Sequence, residues 1–422
     1  MECPIFSKYT CLDFVFNIIG VGTFLFDVGS DLWVATVFFT HGNFVWFGIM
    51  LGFMLVSSVI VQMFSWFWLQ YDRDLKDFDS QTSAGNMVLF GGAKRVKLAL
   101  FLHVFQLGFF IRHISVIWQG FRVWRQGGSG SEYAVYLTHD LSMLRLIETF
   151  CESAPQLTLM MYIMLRTNHA RIVQYVSVIA STTSIAWMVV DYHRSLRSFL
   201  PDKDKQGWRS SFVYFLWNLF LIGPRVASVA LFASVLPWSI SAHFPLLWIT
   251  FALWAWKQGT DFMDSAVGEC LYRATIGVIW YFSWFNVTEG NTRDRSIIYH
   301  SFIIVDSGIL LLTWWCYRDP EVTQSYALIF VIFIPLAYAS GLLIKGFYYS
   351  CFHPKLWRPE DSGKALDDVS DGLEPFNAIQ ADSASFHISN TRMGKHAANF
   401  YTTKTSSVNK TDGCEASKAS VL

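Results

Sequence analysis

Residues 44–70 read FVWFGIMLGFMLVSSVIVQMFSWFWLQ, a run without one charged side chain. As a helix rising about 1.5 Å per residue it extends roughly 40 Å, enough to cross a hydrocarbon core about 30 Å thick. The run has company. Apolar segments recur at 13–39, 98–121, 134–166, 172–192, 211–235, 246–263, 271–288, 296–316 and 322–350. Over the whole chain 53% of residues are hydrophobic, 17% are aromatic and only 15% are charged, against about 25% charged in a soluble domain. The expected fold class is an all-α polytopic membrane protein, with a membrane domain over residues 1–350. From about Ser350 the composition shifts to Ser, Thr, Asp, Asn, Gly and Lys. Too little apolar surface remains there to offset chain entropy, so residues 351–422 read as a disordered C-terminal tail.

The connections set a sidedness. Thr40-His41-Gly42-Asn43 carries no Lys or Arg and reads as outward. The next connection (Arg73, Lys76, Lys94, Arg95, Lys97) reads as cytoplasmic, as does the loop with Arg194, Arg197, Lys203, Lys205 and Arg209. The N-terminus and the tail, which opens with Lys355 and Arg358, are then both cytoplasmic. Parity requires one apolar segment in each half to fail to cross. In the first half that segment is 134–166, expected as a hairpin bent at Pro155; in the second it is one of five. The simplest total is about eight transmembrane helices plus partially inserted helices. Arg122 and Arg125 fit worst, since this topology puts them outside. The first apolar stretch starts near Leu12, runs past Phe39 and lacks an Ala-x-Ala site, so it reads as a retained span rather than a cleaved signal.

Several charges sit where hydrocarbon should surround them. Asp27 and Asp31 share one face of the first helix at i, i+4. Asp140, Arg145, Glu148 and Glu152 crowd one helical stretch, with Arg145 close enough to Glu148 to pair. Arg112, Asp191, Arg225 and Asp306 are also in apolar context. An ionised group at the bilayer centre costs about 2.5–3.5 kcal/mol on insertion scales. For any one residue, interhelical pairing explains this well. For the set, acids outnumber bases, which points to a hydrated track for ions, protons or lipid headgroups; the residues do not choose among these. There is no P-loop, potassium filter, Arg-repeat voltage sensor, Ser-His-Asp or HExxH signature. Seven scattered cysteines and eleven histidines without ligand spacing offer no metal site, and no cofactor is expected. A formal net charge of zero gives no case for nucleic-acid binding.

The tail contains Asp367-Asp368-Val369-Ser370-Asp371-Gly372. Asp-x-x-Asp before a small residue suits an executioner caspase: Asp371 fills the basic P1 pocket, Asp368 adds the P4 contact and Gly372 avoids a clash. An extended, unfolded segment is what a protease cleft binds. Downstream, residues 388–401 mix basic and apolar side chains, Arg392, Met393 and Phe400 among them. They read equally as a short docking helix or as a solvated basic patch.

Taken together, the residues resemble a known family. Asp140-Leu141-Ser142-Met143-Leu144-Arg145-Leu146, Glu148-Thr149 and Glu152-Ser153-Ala154-Pro155-Gln156-Leu157 are similar to the signature block of the XK-related family. Asp191-Tyr192-His193-Arg194-Ser195-Leu196-Arg197, Gln258-Gly259-Thr260-Asp261-Phe262-Met263 and Tyr281-Phe282-Ser283-Trp284-Phe285-Asn286-Val287 match further blocks. The resemblance implies a caspase-activated phospholipid scramblase that exposes phosphatidylserine on apoptotic cells, in both directions and without ATP. It implies eight spans in two pseudo-symmetric halves. It also implies a lipid path lined or supported by Asp13, Asp27, Asp31, Arg112, Glu148, Glu152, Asp191, Arg225 and Asp306, with Trp46 as an aromatic gate. Asp140 and Arg145, inside the signature block, join that path. The implied partner is a single-span glycoprotein like basigin or neuroplastin, which delivers the protein to the plasma membrane. Whether the active form is a monomer or a homodimer stays open.

Overall fold

The computed structural model describes residues 9–73, 93–125, 131–167, 172–199, 206–288 and 292–352. The cleavage residues Asp368, Asp371 and Gly372 and the docking residues Arg392, Met393 and Phe400 lie outside them. The described residues are helical, with no strand among them. In chain order the α-helices are α1 (Cys11–Thr40), α2 (Phe44–Arg73), α3 (Ala93–Val104), α4 (Gly108–Arg125), α5 (Ser131–Glu148), α6 (Ala154–Thr167) and α7 (Ile172–Phe199). Then follow α8 (Trp208–Val235), α9 (Ile240–Lys257), α10 (Ala266–Phe282), α11 (Thr292–Tyr317), the short α12 (Pro320–Thr323) and α13 (Ala327–Phe347).

Local chemistry sets the ends of α1. Thr10 and Asp13 form a reciprocal capping box, with the Thr10 N–H donating to Asp13 at 2.8 Å and the Asp13 N–H to Thr10 Oγ1 at 3.4 Å. At the other end Gly42 takes φ +72, which lets the Asn43 N–H turn back to Phe38 O at 2.9 Å and start α2 at once.

The outside of the bundle is apolar. Phe26 is 75% and Trp33 72% exposed on α1, and α2, α11 and α13 present Leu55, Val56, Val305, Leu312, Leu328 and Leu343 the same way. Such a surface is stable only where the solvent is hydrocarbon. Among the described residues six helical segments are long and apolar enough to span: Cys11–Thr40, Phe44–Gln70, Trp208–Val235, Pro237–Lys257, Thr292–Tyr317 and Ala327–Cys351. A bent pair, Leu98–Val104 and Gly108–Arg125, brings the number to at most seven by length and apolarity. The chain is a multi-pass α-helical membrane protein. Of the remaining expected spans, α7 has 28 residues, but Gln174, Ser177, Ser181, Thr182, Thr183 and Ser184 dilute its apolar run. Of the five segments in the second half, 271–288 falls short: α10 has 17 residues and packs along α9.

Two expectations about where the chain reverses are corrected. Segment 98–121 is not one straight span; it breaks by 116° between Val104 and Gly108. Gln106 takes φ +63 there, and Ser58 Oγ on α2 donates to its Oε1 at 2.6 Å. Conversely, 134–166 is no hairpin at Pro155. The chain stays helical from α5 through a π-turn, Thr149–Ser153, into α6. The Ala154 N–H reaches back five residues to Thr149 O, and the wider turn gives the proline ring room without ending the helix.

Two helices form the interior. α5 is buried almost throughout, against α2, α4 and α7; α8 is buried against α6, α7, α11 and α13. Trp68, Trp280, Trp314, Phe150 and Tyr272 fill the space around them.

Candidate functional site

Along α1, Asp13, Asn17, Gly20, Thr23, Asp27 and Asp31 are spaced by three or four residues. That spacing returns to one helix face, so these residues make a polar stripe about 27 Å long. The stripe faces a second one on α5, the π-turn and α6. Asn17 Nδ2 donates to Thr138 Oγ1 at 2.9 Å, Arg145 Nη2 to Thr23 Oγ1 at 3.4 Å, and Ser153 Oγ to Asp27 Oδ2 at 3.0 Å. Asp31 meets Glu152 and Gln156. The backbone of α1 packs on α2 and α4 rather than on α5 or α6. Side chains make most of the contact across the gap, so the seam is polar along its length. The π-turn sits in its wall and swings Glu152 and Ser153 into it; such turns are frequent at functional sites.

The charged residues divide into two kinds. Three arginines are neutralised. Arg145 Nη1 pairs with Asp191 of α7 at 3.0 Å, Arg112 Nη1 with Asp140 at 3.4 Å, and Arg225 Nη1 with Asp306 at 2.5 Å. The pairing of Arg145 with Glu148 expected from the sequence is not made. A helical side chain leans toward the helix N-terminus, so Arg145 points away from Glu148 and across to α7. By contrast, Asp27, Asp31, Glu148 and Glu152 lie close enough to repel one another. Among the described residues none of these four is ion-paired with Lys or Arg. Asp31 Oδ2 is buried without a hydrogen-bond partner, whereas Asp27 and Glu148 are half-buried along the seam.

At Gly20 the seam is tight. A Cβ there would fall 2.0 Å from Arg145 Nη1 and 2.4 Å from its Cζ. The guanidinium cannot step aside cheaply, because Asp191 and Met188 hold it. Gly20→Ala is expected to push Arg145 off Asp191 and cost about 1–3 kcal/mol, as overpacking usually does. Thermal unfolding in detergent checks this; an unchanged midpoint would show that Arg145 has room.

The other expected residues are placed differently. Asp13 caps α1, about 21 Å along the helix from Asp27. Trp46 lies half-buried at the turn end of α2, edge-on to Tyr162 at 5.5 Å; along the helix it is about 16 Å from Ser57, which faces Glu152. Arg112 and Asp140 belong to a structural knot with Ser65, whose Oγ and carbonyl accept from the guanidinium at 2.7 and 2.9 Å. Arg225 and Asp306 sit in the second half of the chain, apart from the seam. Their network includes side chains the sequence did not mark: His243 Nε2 contacts Asp306 at 3.0 Å, its Nδ1 contacts the Tyr281 hydroxyl at 3.0 Å, and Ser307 accepts from Arg225 at 3.0 Å. Lys345, bonded to Ser296 at 2.6 Å and His300 at 2.8 Å, was likewise not marked. No local spacing signals such partners, which come together only by helix packing. The α1 stripe was readable from its three-and-four spacing. Among the described residues no group of His, Cys, Asp or Glu is arranged to hold a metal ion.

Comparison with known proteins agrees with this architecture. The family model described as XK-related protein matches residues 15–354. A protein from Gasterosteus aculeatus, named XK-related protein 8, is 61% identical over 405 residues, covering 95% of this chain and 99% of its own. One of the same name from Tetraodon nigroviridis is 60% identical over 409 residues, 96% of this chain and 100% of its own. One from Pan troglodytes, again of that name, is 40% identical over 355 residues, 82% and 86% of the two chains. A family match over the whole helical bundle, with relatives this similar end to end, means that the chain belongs to the XK-related family.

Proposed function

We propose that this protein is a phospholipid scramblase of the plasma membrane, passive and bidirectional, that exposes phosphatidylserine after a caspase removes its tail. One observation carries the reading: four carboxylates that make no ion pair with Lys or Arg among the described residues cluster on a polar seam whose α1 stripe is about 27 Å long, close to the thickness of a bilayer core. Unpaired acids are expensive in hydrocarbon and are retained where something polar passes. A headgroup sliding along the seam keeps its charge solvated by Asp31, Glu152, Glu148 and Asp27 while its acyl chains stay in lipid. The family resemblance in the sequence supports lipid as the cargo.

The same reading extends to topology. With the reversal at Gln106 instead of Pro155, α5 and α6 become one crossing and the first half keeps its even count. Arg122 and Arg125 then fall on the side of the Lys94 connection, which removes the misfit that a hairpin at Pro155 creates. Both termini are assigned to the cytoplasm. The executioner caspase, a basigin- or neuroplastin-like glycoprotein and a homodimeric form belong to this proposal as well.

Purified protein truncated after Asp371 and placed in liposomes tests it. Loss of fluorescent lipid to external dithionite from both leaflets is the expected result, and ion flux without lipid loss would sink the reading. In the same assay Glu148→Gln and Asp31→Asn are expected to slow scrambling about tenfold each, which corresponds to about 1.4 kcal/mol. They should leave the melting temperature unchanged or raised, because each relieves repulsion among four acids.

A further inference from the structure

The end of the bundle from which the tail leaves is tied together by one buried side chain. Gln206, 4% exposed, lies in the connection between α7 and α8. Its Oε1 meets His193 Nδ1 of α7 at 2.9 Å, and its Nε2 donates to the Tyr348 hydroxyl at 3.3 Å and to Ser210 Oγ of α8 at 3.4 Å. Its carbonyl accepts from Arg194 Nη1 of α7 at 3.1 Å. Tyr348 opens the π-turn Tyr348–Phe352 that follows α13. It is 1% exposed, its ring is edge-on to Trp217 at 4.8 Å, and Tyr349, Ser350 and Cys351 after it are exposed. Among the described residues Tyr348 is thus the last that the bundle encloses before the tail.

Arg194 carries the tie onward. Its guanidinium lies over the Phe16 ring of α1 at 4.3 Å. Phe16 in turn is stacked flat on Trp187 of α7 at 5.3 Å and edge-on to Trp208 of α8 at 6.5 Å. These contacts pin the first turns of α1, where its polar stripe begins with Asp13 and Asn17. One turn before Arg194 on α7, Asp191 holds Arg145, the side chain that lies against Gly20. α13 and its π-turn pack mainly on α8, and α1 mainly on α2 and α4. Gln206 and Arg194 therefore make a polar route between the root of the tail and the seam. We propose that Gln206 is a latch: with His193 and Tyr348 bonded to it, α7 and α8 clamp Phe16 and hold α1 against the seam, and withdrawal of Tyr348 frees α1. Gln206 and Tyr348 are positioning residues, since both act through Arg194 and Phe16. Coupling of this kind needs an element with two arrangements that both ends bias, and here it is the clamp on Phe16. A load on the tail root meets Tyr348 first. The bonds that hold its hydroxyl, from Gln206 at 3.3 Å and Ser210 at 3.4 Å, are long, so they yield before the shorter ones behind them. The functional sequel, a seam that opens when the tail is released, rests on the scrambling reading; the latch itself stands on these contacts.

The test uses the full-length protein in lipid nanodiscs, with hydrogen exchange across residues 11–24 read by mass spectrometry. Tyr348→Phe removes one hydroxyl and keeps the ring on Trp217, so it should fold normally. It should speed exchange in this segment about threefold to tenfold, the range of one hydrogen bond. Gln206→Leu, which breaks the ties to His193, Ser210 and Tyr348 together, should speed it at least about tenfold. Ser296→Ala removes a bond of similar kind, from Lys345 of α13 to α11, and should leave α1 unmoved. Exchange in α1 unchanged by Tyr348→Phe, or raised as much by Ser296→Ala, would overturn the latch. In liposomes the intact Tyr348→Phe and Gln206→Leu proteins should scramble fluorescent lipid about threefold to tenfold faster than the intact wild type, with no cleavage. Silence of both variants beside an active protein ended at Asp371 defeats the latch and leaves the scrambling reading standing. Faster exchange in α1 with no scrambling by any form, the shortened one included, defeats the scrambling reading and leaves the latch standing.

Discussion

Asp371→Ala is expected to leave the protein at the cell surface in full amount and silent in dying cells, with annexin binding no higher than in cells lacking the protein. A caspase requires aspartate at the residue before the cut, where a basic pocket closes on the carboxylate, and alanine offers that pocket nothing. A chain ended at Asp371 should bind annexin without any death signal. Under the proposed activation the tail favours the closed form and its release shifts the population to the open one. Asp368→Ala, which removes only the P4 contact, should slow cleavage rather than stop it. Annexin exposure in the Asp371→Ala protein equal to the wild type's would falsify activation by the tail while leaving the seam's role untouched.

Arg225→Ala is expected to have the largest effect on stability. Arg225 is fully buried and holds three partners: Asp306 at 2.5 Å, Ser307 at 3.0 Å and the Tyr281 carbonyl at 3.0 Å. It also lies 4.9 Å from the centre of the Tyr281 ring. Its removal leaves Asp306 with only His243 beside it in a low-dielectric setting. Breaking one side of such a pair costs about 3–5 kcal/mol, because the charge left behind is uncompensated. Arg225→Lys should rescue little, since a point charge cannot serve the three acceptors that a planar fork reaches. A double change, Arg225→Met with Asp306→Leu, should recover much of the loss by removing both charges. Thermal unfolding followed by size-exclusion chromatography checks the series. A single alanine variant as stable as the wild type would show the pair to be dispensable. This outcome contrasts with the one expected for Glu148→Gln, which should change transport and spare the fold. On the proposed reading, the Arg225–Asp306 pair serves packing and the unpaired acids of the seam serve transport.

The amino-acid sequence alone determined the fold class and the polar face of α1. Both follow from local quantities. The uncharged run at 44–70 can be satisfied only by a helix in lipid, because a helix pairs its own backbone groups. The three-and-four spacing from Asp13 to Asp31 must fall on one side of any helix that forms. Local reading failed where the answer depended on which helix lies next to which. Pro155 looked like a hairpin tip, yet the π-turn before it keeps α5 and α6 continuous; the reversal came instead at Gln106, which carries no breaker signature and is held by Ser58, forty-eight residues away. Arg145 had an acid three residues along and still chose Asp191, forty-six residues distant, because side-chain direction and the missing Cβ of Gly20 open that route. His243 reached Asp306 across 63 residues with no pattern to announce it. Burial and helix periodicity are written residue by residue. The choice of partner for each buried charge belongs to the packed bundle, where the cost of leaving a charge alone decides between neighbours that the linear sequence never brings together.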